Sequence, residues 1–519
     1  MKKIVNKKII MITSCIALLS MSFEGCKNYL DVNPQGQITQ AQIATDPVAA
    51  QNLVTGIYNV FYIGGFAPDI DSFQFVIMTD IASDDGDKGS TPTDYGDALQ
   101  IDNLQTPATN GVVNNVWNGY YQGIARTNQA LGQLQTATFD ATTKNKLIGE
   151  TRFLRAYFYF NLVRLFGGVP KLDHVPSVSE ANSPQLQTRA SAADIYAFIV
   201  SDLDFAVTNL PDKGATDVGR ATKSAAQALE AKVYLYMKNY QKAYDLSQVV
   251  ITGGKYSLVK DYSLIWREKP SAAGDGGNNN SESIFEIQAG INKDCSAGIN
   301  LYTVSQGPRA GNKYGWSDLG FGFNNPSASL QKEYEVGDVR KNGTIIFINP
   351  TTPTNSKGTV LFDGFRIPSQ DSVQNSTYSY KAYHSRTAES NCGGNTDRLP
   401  KQVRILRYAD VLLINAEAAV QLGNTGAATT DLHLVRARAG LPDVAPTLTA
   451  IWHERRVELA LEHDRFFDLV RQDAVQPGRA AAAFAADGGK TWSATRALFP
   501  IPQAQIDLSG GKLTQNPGY

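Results

Sequence analysis

The sequence predicts a mainly α-helical protein in which helix pairs form a scaffold and a loop-rich region with short strands lies between two helical parts. Apolar residues recur at helical spacing through residues 46–255 and 400–475. Residues 256–399 instead hold short alternating runs among segments rich in Gly, Asn and Ser. Residues 476–519 show neither pattern, so we expect an irregular C-terminal tail.

The first residues have the layout of an export signal. Four lysines precede the apolar run Ile9–Leu19, which is too short to span a bilayer, and the small residue Gly25 then precedes Cys26. This order is typical of a lipoprotein signal, in which residues 1–25 are removed and Cys26 carries the acyl chains. The alternative is an ordinary secretory signal with an incidental cysteine. Residues 26–45 show no periodicity and predict an extended tether.

Capping and stop signals set the helix boundaries. Asp46 followed by Pro47 is typical of a helix start. The segment Glu150–Phe166 is apolar almost all round, which predicts a central helix surrounded by others, and Gly167 and Pro170 end it. The remaining predictions are helices over 113–134, 191–210 and 454–471 and a loop over 82–112.

An internal repeat links the two helical parts. At a constant offset of 185 residues, Ala231, Asn239 and Ala243 correspond to Ala416, Asn424 and Ala428. Both stretches predict a helix, a tight turn at Asn and a second helix, with small residues where the helices cross. This pattern resembles the helix–turn–helix unit of a tetratricopeptide repeat.

Composition excludes some functions. The 519 residues include 48 Lys and Arg against 49 Asp and Glu, so there is no basic excess to favour nucleic acid as a partner. Of the four cysteines, Cys295 and Cys392 lie outside the signal and the lipidation position. They can pair after export, but their spacing indicates neither a disulfide framework nor a zinc site, so the interpretation as two partly buried thiols is favoured.

Several segments, in one order along the chain, resemble the SusD/RagB group of outer-membrane nutrient-binding lipoproteins of Bacteroidetes. The segments are Cys26–Asp31, Arg152–Tyr157, Gly168–Pro170, Arg407–Leu413, Val435–Leu441, Glu454–Ala460, Asp464–Arg471, Phe499–Pro502 and Gln515–Tyr519. One departure is the sequence Glu462-His463-Asp464-Arg465, where the family usually has Glu-Gly-His-Arg.

The resemblance implies a single domain over residues 46–519, built on tetratricopeptide-like helix pairs with a loop-rich ligand face. It implies a non-catalytic lipoprotein of the cell outer membrane, anchored through Cys26, facing the exterior and needing no cofactor. It also implies a partner, a SusC-like TonB-dependent barrel that receives the captured solute. That solute is usually a glycan, and in some relatives it is a peptide.

A glycan site needs flat aromatic faces for the sugar rings and polar side chains for the hydroxyl groups. The richest loops hold Tyr314, Trp316, Phe323 and Asn324 in one region and Asp94 and Tyr95 in another, and Tyr62 can border the same face. The resemblance supports these loops, since ligand sites of the family use about these regions. For Trp316 and Phe323 the alternative is burial under a long loop.

Other clusters give weaker alternatives. Glu458 and Glu462 lie one helical turn apart, each three residues from an arginine (Arg455 and Arg465), which favours an ion-pair ladder over the carboxylate pair of a surface-tethered glycoside hydrolase. His453 begins a zinc-protease pattern that lacks its second histidine. The acidic loop with Asp84, Asp85 and Asp87 gives a weak prediction of structural calcium. A repeat scaffold that binds only protein remains a further alternative.

Overall fold

The computed structural model describes residues 39–62, 68–180, 182–290, 300–310, 319–348, 358–368, 372–393 and 399–519. Helices dominate the first half of the chain. They are α1 (Gln40–Thr45), α2 (Pro47–Tyr58), α3 (Phe73–Val76), α4 (Gly96–Asp102), α5 (Gly111–Gln135), α6 (Ala141–Phe166), α7 (Pro184–Gln187), α8 (Ala192–Asn209), α9 (Lys223–Tyr236) and α10 (Tyr240–Thr252).

The second half alternates short and long helices. They are α11 (Tyr302–Gln306), α12 (Ala328–Glu333), α13 (Arg340–Thr344), α14 (Tyr408–Gln421), α15 (Thr425–Arg438), α16 (Leu448–Glu458), α17 (Arg465–Asp473), α18 (Arg479–Asp487) and α19 (Gln503–Leu508). The predicted mainly helical fold is confirmed.

Short strands form two-stranded antiparallel sheets around the loop-rich region. The strands are β1 (Gly86–Gly89), β2 (Ser283–Ile287), β3 (Phe323–Pro326), β4 (Ile345–Phe347), β5 (Thr359–Val360), β6 (Arg366–Ile367), β7 (Thr377–Ser379) and β8 (Val403–Arg407). The pairs are β1–β3, β2–β8, β4–β7 and β5–β6. The β1–β3 and β2–β8 sheets join segments far apart in sequence, whereas β5 and β6 form a local hairpin.

Helix α6 is the central helix that its apolar sequence predicts. Its side chains are buried almost without a break from Leu147 to Phe166, and it packs against α2, α5 and α8. The charged side chains inside this stretch are paired, as when Arg155 donates two hydrogen bonds to Asp202 at 2.7 and 2.8 Å. The helix ends at Phe166 and is followed by Gly167, whose positive φ of 73° glycine tolerates better than other residues do.

The repeated hairpins are α9–α10 and α14–α15. In each, the asparagine of the turn caps the second helix, since the side chains of Asn239 and Asn424 accept hydrogen bonds from backbone N–H groups three residues later. The small residues predicted at the crossings are fully buried, and both α9 and α10 pack against α14. The predicted internal repeat is therefore a pair of adjacent helical hairpins.

The structure corrects four predictions of secondary structure. Residues 40–45 of the predicted tether form helix α1, and residues 96–102 of the predicted loop form α4. The predicted helix over 454–471 is two helices separated by a turn in which Leu461 and His463 have φ of 60° and 73°. The predicted irregular tail contains α18 and α19.

Two further findings concern the cysteines and the membrane. Cys392 is disulfide-bonded, which excludes a free thiol there, and Cys295 lies outside the described residues. Among the described residues, no helix is both long enough and apolar enough to cross a membrane. The export signal, Cys26 and most of the tether also lie outside the described residues, so their roles stay predictions.

Candidate ligand-binding surface

The pairing of β1 with β3 joins the two loop regions in which the sequence predicts ligand-binding residues. Gly86 lies opposite Pro326 and Gly89 opposite Phe323. A Cβ atom on Gly86 would lie 2.3 Å from Asn324 Oδ1, and one on Gly89 would lie 1.6 Å from Asn325 Oδ1. The strands can approach this closely only because both positions are glycine.

A half-exposed ion pair lies at the end of this sheet. Arg309 donates from Nη1 to Asp94 Oδ2 and to Ser90 Oγ, and Ser90 Oγ donates to the same carboxylate oxygen at 2.9 Å. Burial opposes ionisation of Asp94, but the hydrogen bonds from Arg309 and Ser90 outweigh it and lower the pKa of this carboxyl. The group is therefore a fixed, ionised acceptor beside a guanidinium donor.

Lys88 holds the loop that carries this pair. Its Nζ donates to the carbonyl oxygens of Thr91 at 2.7 Å and Asp94 at 2.9 Å, and it lies 5.5 Å from the ring centre of Phe323. Because these acceptors belong to the loop itself, Lys88 fixes its conformation and leaves Asp94 at the surface.

Aromatic rings flank the ion pair. Tyr95 is half-buried and stacks on Phe73 with ring centres 5.5 Å apart, and Phe321 meets the edge of Phe73 at 6.4 Å. Burial, followed by the charge of Asp97, raises the pKa of Tyr95 to about 12, so its hydroxyl is neutral at physiological pH. A neutral phenol and aromatic ring beside charged hydrogen-bonding groups suit a hydroxyl-rich, uncharged ligand.

The structure places the predicted site residues in different surroundings. Asp94 and Tyr95 lie at this surface, but Phe323 and Asn324 are 3% and 0% exposed, so their prediction as contact residues is wrong. Phe323 packs under Tyr95 and Phe73. Asn324 donates to Asp80 Oδ2 at 3.0 Å and to Gln306 Oε1 at 2.8 Å. Both residues support the surface from below.

The other three predicted contact residues, which are Tyr62, Tyr314 and Trp316, do not form part of the surface around Asp94 and Arg309 in the described structure. Tyr62 lines a cavity of about 350 Å³ together with Phe285 and Arg220. Tyr314 and Trp316 lie outside the described residues, and their assignment stays a prediction. Sequence reasoning missed Arg309 and Ser90. The available signal was an arginine placed directly before an aromatic, glycine-rich loop.

The charged residues near α16 form buried ion pairs rather than a catalytic pair. Glu458 is fully buried and accepts hydrogen bonds from Arg407 at 2.6 Å, from Arg340 at 3.0 Å and from Arg438. Burial would raise the pKa of Glu458, but the charges of these arginines hold it well below the ordinary value. A general acid requires the opposite shift.

The predicted ladder along one helix is also wrong, because each charge pairs with another element. Arg455 contacts Asp410 at 2.8 Å and Asp468 at 3.2 Å, while Glu462 contacts Lys381 and Arg407, each at 2.7 Å. These contacts join α16 and the turn after it to α14, α17 and β8.

The predicted calcium loop and the histidine of the zinc-protease pattern are both bound by other side chains of this chain. Arg465 donates to both oxygens of Asp84 at 2.7 and 2.8 Å, and Arg456 donates to Asp85 at 2.7 Å. His453 contacts Glu333 at 3.2 Å. Within the described ranges, no three His, Cys, Asp or Glu side chains gather in a way that could hold a metal ion.

Known proteins are similar to this chain in sequence and in fold. Residues 281–519 match the SusD family, and residues 28–235 match a family described as "Starch-binding associating with outer membrane". The chain is 26% identical over 535 residues to SusD-like protein P2 of Formosa agariphila, which covers 97% of this chain and 98% of that protein.

Solved structures give the same result. A laminarin binding SusD-like protein is 28% identical, with a TM-score of 0.73 and coverage of 91% of this chain and 99% of its own. Surface glycan-binding protein A from Bacteroides fluxus is 25% identical, with a TM-score of 0.73 and the same two coverages.

Proposed function

The chain belongs to the SusD family, and from this premise we propose that it is a non-catalytic lipoprotein that binds an oligosaccharide at the outer membrane. We further propose that the protein delivers the glycan to a SusC-like TonB-dependent barrel and that it needs no cofactor to do so.

The observation that carries the proposal is the surface formed by Asp94, Arg309, Ser90 and Tyr95. It combines an ionised acceptor, a guanidinium donor and a half-exposed aromatic ring, which together suit sugar hydroxyls and the apolar face of a sugar ring. The binding of laminarin by the 28% identical structure supports a glycan as the ligand class.

The state of the carboxylates supports a binding role over hydrolysis. A glycosidase needs one carboxyl with a raised pKa and a second one across the substrate. At the proposed surface, the hydrogen bonds of Arg309 and Ser90 lower the pKa of Asp94. Glu458 and Glu462 lie at most 8% exposed in their side chains and bind arginines.

The test is binding of laminarin and starch oligosaccharides to the purified protein by titration calorimetry. We expect measurable binding of one glycan class and at least about a tenfold loss of affinity in Tyr95→Ala, because the ring provides packing against the sugar. Arg126→Gln is the matched control, since Arg126 is a partly exposed arginine on α5 that donates to Gly56 O. Equal affinity in Tyr95→Ala and the control would refute the proposed surface.

The same titrations separate the second candidate. The resemblance to the SusD/RagB group allows a peptide as solute, so a pool of peptides is the second ligand. Binding of peptides without glycans would replace the glycan in the proposal. Release of reducing sugar from a polysaccharide would refute the non-catalytic role.

Anchoring and partnership need separate tests. We expect Cys26→Ala to move the protein from the membrane fraction to the soluble fraction, because Cys26 is the proposed lipid carrier. Protease treatment of intact cells tests whether it faces the exterior. Purification of the native protein from membranes should also recover a large outer-membrane barrel, and its consistent absence would contradict the proposed transfer.

A further inference from the structure

A second cavity lies outside the residues that form the proposed glycan surface. It has a volume of about 540 Å³ and lies between α16, the start of α17 and α18. This volume is within the range of about 300–1,000 Å³ that is typical of small-molecule sites. Its lining includes none of Asp94, Tyr95 and Arg309, so the two sites can be tested separately.

The cavity wall has more positive than negative side chains. Three arginines line it, and Glu333 is the carboxylate among the lining residues. Two of the arginines are paired with carboxylates: Arg456 contacts Asp85 at 2.7 Å and the lining residue Glu333 at 2.9 Å, and Arg465 contacts Asp84 at 2.7 Å. The third arginine is Arg479.

Arg479 differs from the other two in its partners. Its Nε donates to Gln472 Oε1 at 2.9 Å, and its guanidinium lies 4.7 Å from the ring centre of Trp452. In the part of the chain that the structure describes, it forms no ion pair with a carboxylate. The two contacts hold the guanidinium in place, and they leave its terminal nitrogens as donors for a ligand.

The electrostatic surroundings of Arg479 favour an anion. Burial, followed by the charges of Arg465 and Arg456, lowers the pKa of Arg479, which means that its positive charge is held at a cost. An anionic group in the cavity would offset this cost. The planar guanidinium matches carboxylate and sulfate groups through two parallel hydrogen bonds.

We propose that this cavity binds a small ligand with a carboxylate or sulfate group, and that Arg479 contacts the anionic group. The cavity is larger than a single inorganic anion needs, and Thr449 and Gln476 add polar side chains to its wall. An acidic sugar unit therefore fits the site better than a free anion does.

The experiment is titration calorimetry of the full mature protein with glucuronate, inorganic sulfate and glucose at constant ionic strength. We expect glucuronate to bind and glucose not to bind. Arg479→Gln should weaken glucuronate binding by about tenfold or more, because a charge-assisted hydrogen bond is lost. Arg479→Lys should restore part of the affinity, since it keeps the charge without the planar group. Arg126→Gln is again the matched control.

A cavity-filling variant guards against misfolding of Arg479→Gln. Ala483 lines the cavity at a partly exposed position of α18, and Ala483→Met should lower glucuronate affinity while Arg479 stays in place. Sulfate binding equal to that of glucuronate would support the anion site but overturn its assignment to an acidic sugar. Absence of binding by both anions, or equal glucuronate affinity in wild type and both cavity variants, would overturn the proposal. Neither result depends on the glycan surface.

Discussion

The ion pairs around Glu458 and the ion pair of Arg309 with Asp94 use the same chemical groups in different surroundings. Glu458 and Arg340 have side chains that are 0% exposed, whereas those of Asp94 and Arg309 are 36% and 31% exposed. Around Glu458 three arginines bind one carboxylate, and neighbouring carboxylates bind the same arginines. At the surface, water can solvate both Asp94 and Arg309, because each side chain is about one-third exposed.

This difference separates residues that hold the fold from residues that can bind a ligand. Removing one partner of a buried pair leaves an uncompensated charge that water cannot reach. Removing one partner of an exposed pair leaves a charge that water solvates. The ion pairs of Glu458 connect β8, α13 and α15 to α16, and we therefore expect them to determine stability.

The largest expected effect is that of Glu458→Gln. The change leaves Arg340, Arg407 and Arg438 with one carboxylate fewer in a buried cluster, so the free energy of unfolding should fall by about 3–5 kcal/mol. Urea unfolding followed by circular dichroism measures it. Glu335→Gln is the control, because Glu335 pairs with Arg436 but is 38% exposed, and it should cost less than about 1 kcal/mol. Equal losses would contradict the comparison.

The helix boundaries show where sequence reasoning succeeds and where it fails. Local signals predicted helix starts and stops well: Asp46 caps α2, Ser191 caps α8 and α6 ends at Phe166. The turn after Glu458 was missed because Leu461 and His463 adopt positive φ without being glycine. The signal was present in the family pattern, whose usual glycine aligns with His463.

The candidate site was predictable in its chemistry and not in its geometry. Loop position and residue type identified Asp94 and Tyr95, but they gave the same weight to Phe323 and Asn324, which the β1–β3 pairing buries. Burial at this place depends on Gly86 and Gly89, which let the strands approach, and on contacts between residues more than 200 positions apart, such as Asn324 with Asp80. Periodicity within one segment carries no information on such contacts.

A second prediction extends the comparison to a buried carboxyl for which no guanidinium contributes to the pKa. Asp431 is 3% exposed, and burial raises its pKa to about 7 from an ordinary value of 3.8. The folded state therefore holds a proton that the unfolded state releases, so stability is full below about pH 4 and is lost as the pH rises through 7. Asp431→Asn should remove this loss and be more stable than wild type at pH 8 by about 2–4 kcal/mol. Urea unfolding at pH 4, 6 and 8 measures it, and parallel pH profiles for the two proteins would refute it.

The third prediction tests the ligand-binding side of the comparison. Arg309→Gln removes a charged donor from the proposed glycan surface, so glycan affinity should fall by about tenfold. Its free energy of unfolding should change by less than about 1 kcal/mol, because the pair is half-exposed. Calorimetric titration and urea unfolding of the same preparation separate the two effects. A large loss of stability with unchanged affinity would place Arg309 with the structural pairs.

The smallest expected effect is the dependence of the two kinds of ion pair on salt. Asp94→Asn should lower the free energy of unfolding by at most about 1 kcal/mol at low salt, and the loss should shrink in 1 M NaCl, where charges are screened within about 3 Å. The loss caused by Glu458→Gln should persist, because salt ions do not enter the buried cluster around this residue. Unfolding midpoints of both variants at 0.05 and 1 M NaCl, each relative to wild type at the same salt, measure this difference. If salt reduced both losses by the same fraction, solvent would reach the Glu458 cluster, and burial would not explain why one set of ion pairs holds the fold and the other remains available to a ligand.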